Sequence, residues 1–388
     1  MRIKFKLSKR VVWAFVLATF AIVLSYYSTN SNISLTGEKS VLTYWNAFTE
    51  WATSGSERPV PDDVVFINIE HDKQLVEITD DFGFPVGNSP ITDREKLARL
   101  LALIEKSETY QYVLLDVFLG DGYKSASDSA LFRRISRMDR IVIPKHTDGS
   151  LVSDELNTKA GYADYITSLN ENDFTKYSLF IKEGSSLPLK IYTETTGKTV
   201  KRTCLWYSDD CSLARKVIFP KMTTRLNGPY TSTGEKSILN LGSDILDNEA
   251  ELDWAEFFKG KFIVIGSLDG DDVHSTYAGE QPGCLILYNV YKSLLKGQHK
   301  IPFVLILFYF AIFFAMAYLL LKGDNNGSAS WAWVWAKLFV FYSLILTIVC
   351  IFVFAIWGQA HDIFITSSFF SVVNVICRRL KTKNENHA

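Results

Sequence analysis

One stretch limits what this chain can become. Between Trp254 and Leu321 a soluble α/β pattern closes and passes, almost without a linker, into a membrane-type helix. Phe262–Ile265 is a short apolar run rich in β-branched residues, bounded by Gly260 and Gly266, which suits a strand buried on both faces. An acidic, glycine-bearing loop follows. From Cys284 the apolar positions fall at helical spacing through Leu285, Tyr288, Tyr291 and Leu294, and Gly297 is placed to stop the helix. Only Gln298, His299 and Lys300 then precede the uncharged run that ends at Leu321. A connection this short is expected to carry movement of the folded unit into a bilayer.

The other membrane signals lie at the two ends, where the excess of the 27 phenylalanines is concentrated. Residues 1–10 are basic and carry no acidic side chain, and Val11–Ser28 is uncharged, the length and flank of a span with its N-terminus in the cytoplasm. The bulky Ser25-Tyr26-Tyr27 in place of a small-residue cleavage site favours a retained anchor over a removed signal peptide. Pro302–Leu321, Leu338–Trp357 and the more polar Ala360–Cys377 read as three further spans. Four spans put the segment between the first two outside the cytoplasm, with the Lys322–Lys337 connection and the basic RRLKTK tail inside. The expected organisation is a tail and anchor over 1–28, one extracytoplasmic domain over 29–300, three membrane helices over 301–377 and a cytoplasmic tail over 378–388.

The segment 29–300 reads as α/β. Leu42, Trp45, Phe48 and Trp51 form a helical stripe, either interfacial or core. Residues 64–70 are a first strand, and Pro85 to Pro90 a turn-rich connection. Thr92 with Glu95 three residues on has the capping-box spacing for a helix carrying Leu97, Leu100, Leu101 and Ile104. A second strand (112–119), a helix (127–138) and a third strand (140–146) follow. This alternation is that of a doubly covered, mostly parallel sheet. Residues 147–250 are weakly patterned. SLPLKIYTETTG suits a helix, and KTVKRTCLWY with RKVIFP a hairpin. Cys204 and Cys211 flank a Ser-Asp-Asp turn there, and either form a disulfide across it or stand as two thiols.

In open parallel sheets ligands sit beyond the carboxyl ends of the strands. Those ends carry Glu70, His71 and Asp72, then Asp121, then Lys145 and His146, then Asp269, Asp271, Asp272 and His274. Convergent carboxylates favour a cation or an amine-bearing ligand, with the histidines responsive to mild acid, and solvated loop residues are the plain alternative. Asp116 interrupts an apolar strand and calls for a partner, with Arg94 the nearest candidate in the pattern, in a structural role. The net charge of −1 implies no nucleic-acid partner. No GxxxxGK[ST], GxSxG, HExxH or CxxC occurs, and the dispersed histidines make no metal site, so neither enzyme activity nor a metal or other cofactor is expected.

The order VVFINIE, GFPVGNSPITDREKLARLLALI, YVLLDVFL, SDSALFRRI, GKFIVIGS and HSTYAGEQPGCLILYNVYKSLLKG, followed by membrane spans, resembles the CHASE type 2 family of extracytoplasmic sensor domains on bacterial signalling proteins. The resemblance implies a multi-pass protein of the bacterial cytoplasmic membrane whose outer domain faces the periplasm. Members commonly continue into a kinase, cyclase or phosphatase, and this sequence carries 11 residues after Cys377. The expectation is a sensor-like subunit that signals through its spans to a separate membrane or cytoplasmic protein, with a homo-oligomer also allowed. A constitutive docking subunit of an envelope complex is the alternative.

Overall fold

The computed structural model describes residues 8–34, 36–52, 60–80, 82–119, 125–147, 153–167, 173–181, 184–203, 205–209, 212–226, 238–322 and 331–385. Its centre is a six-stranded, wholly parallel sheet of β1 (Val64–Asn68), β2 (Tyr112–Leu115), β3 (Ile141–Lys145), β4 (Ala160–Tyr162), β5 (Ile238–Asn240) and β6 (Phe262–Gly266), in the spatial order β5-β1-β6-β2-β3-β4. The last long strand in sequence is thus the centre of the sheet, where an apolar run with no polar alternation has to lie. Alternate residues separate into two cores. Val65, Ile67, Val113, Leu115, Ile263 and Ile265 face α3 (Arg94–Lys106), α4 (Asp128–Arg137) and α6 (Trp254–Phe258). Val64, Phe66, Tyr112, Leu114, Phe262 and Val264 face α5 (Leu187–Thr196) and α7 (Gly283–Leu295). Each fully buried side chain of this kind stabilises by about 1.5 to 3 kcal/mol.

The second core does not end at α7. It continues without a break into α1 (Lys9–Thr29), α2 (Thr36–Ala52), α8 (Phe303–Lys322), α9 (Trp331–Trp357) and α10 (Ile363–Glu385). α1 presents a stripe of small buried residues, Ala14, Ala18, Ala21 and Ser25, that lets α8 approach closely. α7 is buried on nearly all sides and ends where Gly297 takes a left-handed φ of 70°, as expected of a glycine stop. The connection beyond it is not free chain. Lys300–Ile301 pairs antiparallel with Ser212–Ala214 in a small four-stranded sheet, so the approach to α8 is held on both sides.

Among the described residues three helices are long and apolar enough to cross a membrane: Lys9–Thr29, Phe303–Lys322 and Phe339–Trp357. This corrects the count of four. The segment expected as the last span is helical within α10, but its buried Thr366, Ser367, Ser371 and Asn374 lower its hydropathy. Four local readings also change. Pro85–Thr92 is a strand that pairs with Lys73–Thr79, not a turn. Thr92 is occupied by that pairing, opposite Lys73, so Asp93 caps α3 and accepts from the backbone N–H groups of Glu95 and Lys96. Val200–Arg202 turns back on Tyr207–Asp209, while Val217–Ile218 joins Phe174–Ser178 instead. The second strand stops at Leu115, which puts Asp116 at its carboxyl end and not in its middle. The helix expected over SLPLKIYTETTG is α5. Cys204, Cys211 and Asp121 lie outside the described residues.

Candidate functional site

At the carboxyl edge of the sheet a cavity of about 660 Å3 opens, walled by residues that follow β1, β2, β3 and β6 and by the first turn of α7. It sits where β6 leads to α7 on one face while its neighbours β1 and β2 lead to α3 and α4 on the other, at the carboxyl edge where open α/β sheets bind ligands. Five of the expected residues line it together: Arg94, Asp116, His146, Asp272 and His274.

Asp116 and Asp272 form its acidic side. Asp116 directly follows β2, and its carboxylate takes no hydrogen bond or ion pair from the described residues. Burial pushes its pKa well above the usual carboxylate range, and the charge of Asp272 pushes it the same way. Asp272 lies over the start of α7, so close that a Cβ on Gly283 would stand 2.7 Å from its Oδ1. That contact needs glycine. Asp272 is held by a short chain of donors. His274 Nε2 lies 3.2 Å from Asp272 Oδ1, and His274 Nδ1 lies 2.8 Å from Tyr165 Oη. A carboxylate only accepts, so Nε2 carries a proton towards Asp272, and Nδ1 shares its hydrogen bond with the tyrosine hydroxyl. Burial and then Asp272 raise the pKa of Tyr165, which keeps that hydroxyl protonated.

The basic side is Arg94, which is 3% exposed. Its partner is Asp128 at 3.6 Å, not Asp116 as the sequence suggested, and its Nη2 donates to the Phe118 carbonyl at 3.4 Å. Nη1 is buried without a hydrogen-bond partner among the described residues. His146 stands on the opposite rim, 3.8 Å from Asp164 and against the Phe118 ring.

The other expected residues are elsewhere. Asp72 is buried, takes the Lys96 ammonium at 2.6 Å and the Gly242 N–H at 3.1 Å, and fastens the end of β1 to the turn after β5. Glu70 turns to Ser267 and Lys73. His71 is exposed. Lys145 lies over the Tyr162 ring and towards Asn157. Asp269 enters the network only through its carbonyl, which accepts from Ser267 Oγ. The side chain of Asp271 is outside the described residues. No group of three or more His, Cys, Asp or Glu among the described residues is placed to hold a metal ion. Tyr165, Asp164 and Tyr177 complete the wall and were not anticipated, because they come from the weakly patterned stretch after β3.

Below the cavity a buried polar clamp holds the connection from α7 to α8. Asp209 is withdrawn from solvent and accepts from His299 at 2.6 Å, Lys300 at 3.0 Å and Tyr192 at 3.0 Å. Gln359, between α9 and α10, donates to the carbonyls of Gln298 and Lys300. No family model, no curated protein and no solved structure matches the chain.

Proposed function

We propose that the chain is a membrane-bound, receptor-like subunit whose head takes a small ligand in the sheet-edge cavity and passes the change into its membrane helices. The observation that carries this reading is α7. Its first turn, with Gly283, Ile286 and Leu287, walls the cavity, and its other end leads through the Asp209 clamp into α8. A ligand that binds two positions of α7 unequally shifts the spans. The stripe of α1 against α8 supports a retained anchor. α10 packs along α9 with its Thr366, Ser367, Ser371 and Asn374 buried, and a crossing by this helix would set the head outside the cytoplasm. The order of segments shared with CHASE type 2 sensors points to the same role, with a separate protein as the recipient of the signal.

The ligand chemistry follows from the walls. A protonated amine suits Asp116 and Asp272, and an acceptor group at the other end suits the unsatisfied Nη1 of Arg94. Free amino acids are the simplest such molecules. Because Asp116 must release its proton to receive an amine, affinity rises with pH through its elevated pKa. The test is thermal unfolding of the full chain in lipid nanodiscs against a panel of free amino acids and their N-acetyl derivatives. A ligand at about 100 times its Kd adds about 2.7 kcal/mol of stability. The expected result is a rise in melting temperature with a free amine, absent with its acetylated form and absent in Asp116→Asn. A panel without effect, or an undiminished effect in Asp116→Asn, contradicts the reading.

A second reading, a constitutive docking subunit, is favoured by the hairpin of Lys73–Thr79 and Pro85–Thr92, whose Leu75, Phe82, Phe84 and Val86 are exposed. It predicts a partner that co-purifies irrespective of ligand and is released by Phe82→Ser with Phe84→Ser.

A further inference from the structure

A second cavity, of about 350 Å3, opens where the head meets the membrane helices. It is walled by Ile22 and Tyr26 of α1 and by Leu305 and Ile306 of α8, and the exposed Leu205 and Trp206 stand at its mouth. Almost all of this lining is apolar. Ser25, His361 and Arg215 are its polar exceptions, and the charged one is Arg215, 1% exposed, in the segment between the small sheet and Val217.

The bonds of Arg215 hold it in place but do not neutralise it. Its Nη1 donates to the Ala360 carbonyl at 2.7 Å and its Nη2 to His361 Nε2 at 3.0 Å. With Nε2 accepting, His361 carries its proton on Nδ1 and donates to Ser25 Oγ at 2.8 Å, so the imidazole is neutral and brings no negative charge. Nε is buried without a hydrogen-bond partner. Tyr26, Tyr309 and Cys350 are the neutral titratable groups nearby. Of the acidic groups nearby, Glu38 pairs with Lys176 at 3.0 Å and Asp362 accepts from the backbone N–H of Ile365 at 3.1 Å, and neither makes an ion pair with Arg215. A buried guanidinium with no carboxylate against it is expensive unless another anion arrives.

We infer that this cavity holds one acyl chain of an anionic lipid from the bilayer, whose head group accepts from Arg215 and supplies the direct anionic partner that it lacks. The mouth supports that source. Val23 on α1 and Ile306 on α8 both line the cavity, both belong to helices apolar enough to cross a membrane, and Val23 is exposed. The chain enters sideways from lipid and its head group meets the protein at the level of the clamp.

The test uses the full chain in dodecyl maltoside micelles, titrated with a dibrominated stearic acid under conditions where the acid is ionised. Bromine quenches nearby indole fluorescence, and the Trp206 component is the difference between wild type and Trp206→Phe. The expected result is saturable quenching of Trp206 that is about tenfold weaker for the methyl ester of the same acid, the loss expected when a charge-assisted hydrogen bond is removed. Ile306→Phe fills the cavity, leaves every bond of Arg215 in place and abolishes the saturable component. Arg215→Gln lowers the affinity for the acid to that for the ester. Should Arg215→Gln fail to fold, the comparison of acid and ester on the wild-type chain decides alone. Equal quenching by acid and ester, or undiminished quenching in Ile306→Phe, overturns the inference.

Discussion

Lys176 and Glu38 are both withdrawn from solvent and face each other at 3.0 Å, between the Phe174–Ser178 strand and α2. Burial pushes Glu38 up to about 7, against the opposing pull of Lys176. The folded value lies above the ordinary 4.5, so the folded chain holds this proton more tightly than the unfolded one. The stabilising contribution is therefore full below pH 4.5 and lost as pH rises through 7. Glu38→Gln keeps the uncharged side chain at every pH, so its melting temperature is expected to lack the fall that wild type shows across that window, and Glu38→Gln with Lys176→Met is expected to be neutral or stabilising. Melting temperatures measured across pH check both points. A Glu38→Gln variant that keeps the wild-type slope contradicts this. None of this was legible in sequence, because Glu38 and Lys176 are far apart in the chain and neither stands in an apolar run. Asp116 was legible for the opposite reason, since one carboxylate among YVLLDVFL has to be accounted for. Its partner was misjudged, because the helix carrying Arg94 turns that side chain towards Asp128.

Among the elements, α7 packs directly on the centre of the sheet. A Cβ on Gly266 would stand 2.7 Å from the Cβ of Cys284, so β6 and the first turn of α7 meet with no room between them. Gly266→Ala is expected to destabilise by about 1 to 3 kcal/mol through overpacking. It also moves Gly283 and so weakens the amino-acid effect on melting, and Cys284→Gly in the same chain restores part of both. Denaturant titration and the ligand panel measure the two effects separately. The parallel strands were readable because buried central strands leave unbroken apolar runs in sequence. The hairpin after β1 was not, since Pro85 and Pro90 look like breakers. A two-stranded ribbon has an unpaired edge, and there a missing N–H costs little. α10 was read as a span from its length, but its polar residues face protein, so its hydropathy understates how deeply it is packed.

On the scale of the whole molecule, one apolar core runs from the sheet through α7 into the membrane helices. The short connection between α7 and α8 was visible in sequence, but the reason it is stiff was not. It is a strand in a sheet, with a buried carboxylate and a glutamine holding its backbone and side chains. The central claim is that α7 carries a ligand-dependent displacement from the head's cavity into α8, and the most direct measurement is the distance distribution between two nitroxides. One sits at the exposed Arg133 on α4 and the other at the lipid-facing Leu319 on α8, in a chain whose own cysteines are replaced, reconstituted in nanodiscs and read by pulsed electron paramagnetic resonance. The account predicts a single narrow distribution that shifts as a unit when the amino acid that raises the melting temperature is added. A broad distribution, or a narrow one that ligand leaves unmoved, contradicts it.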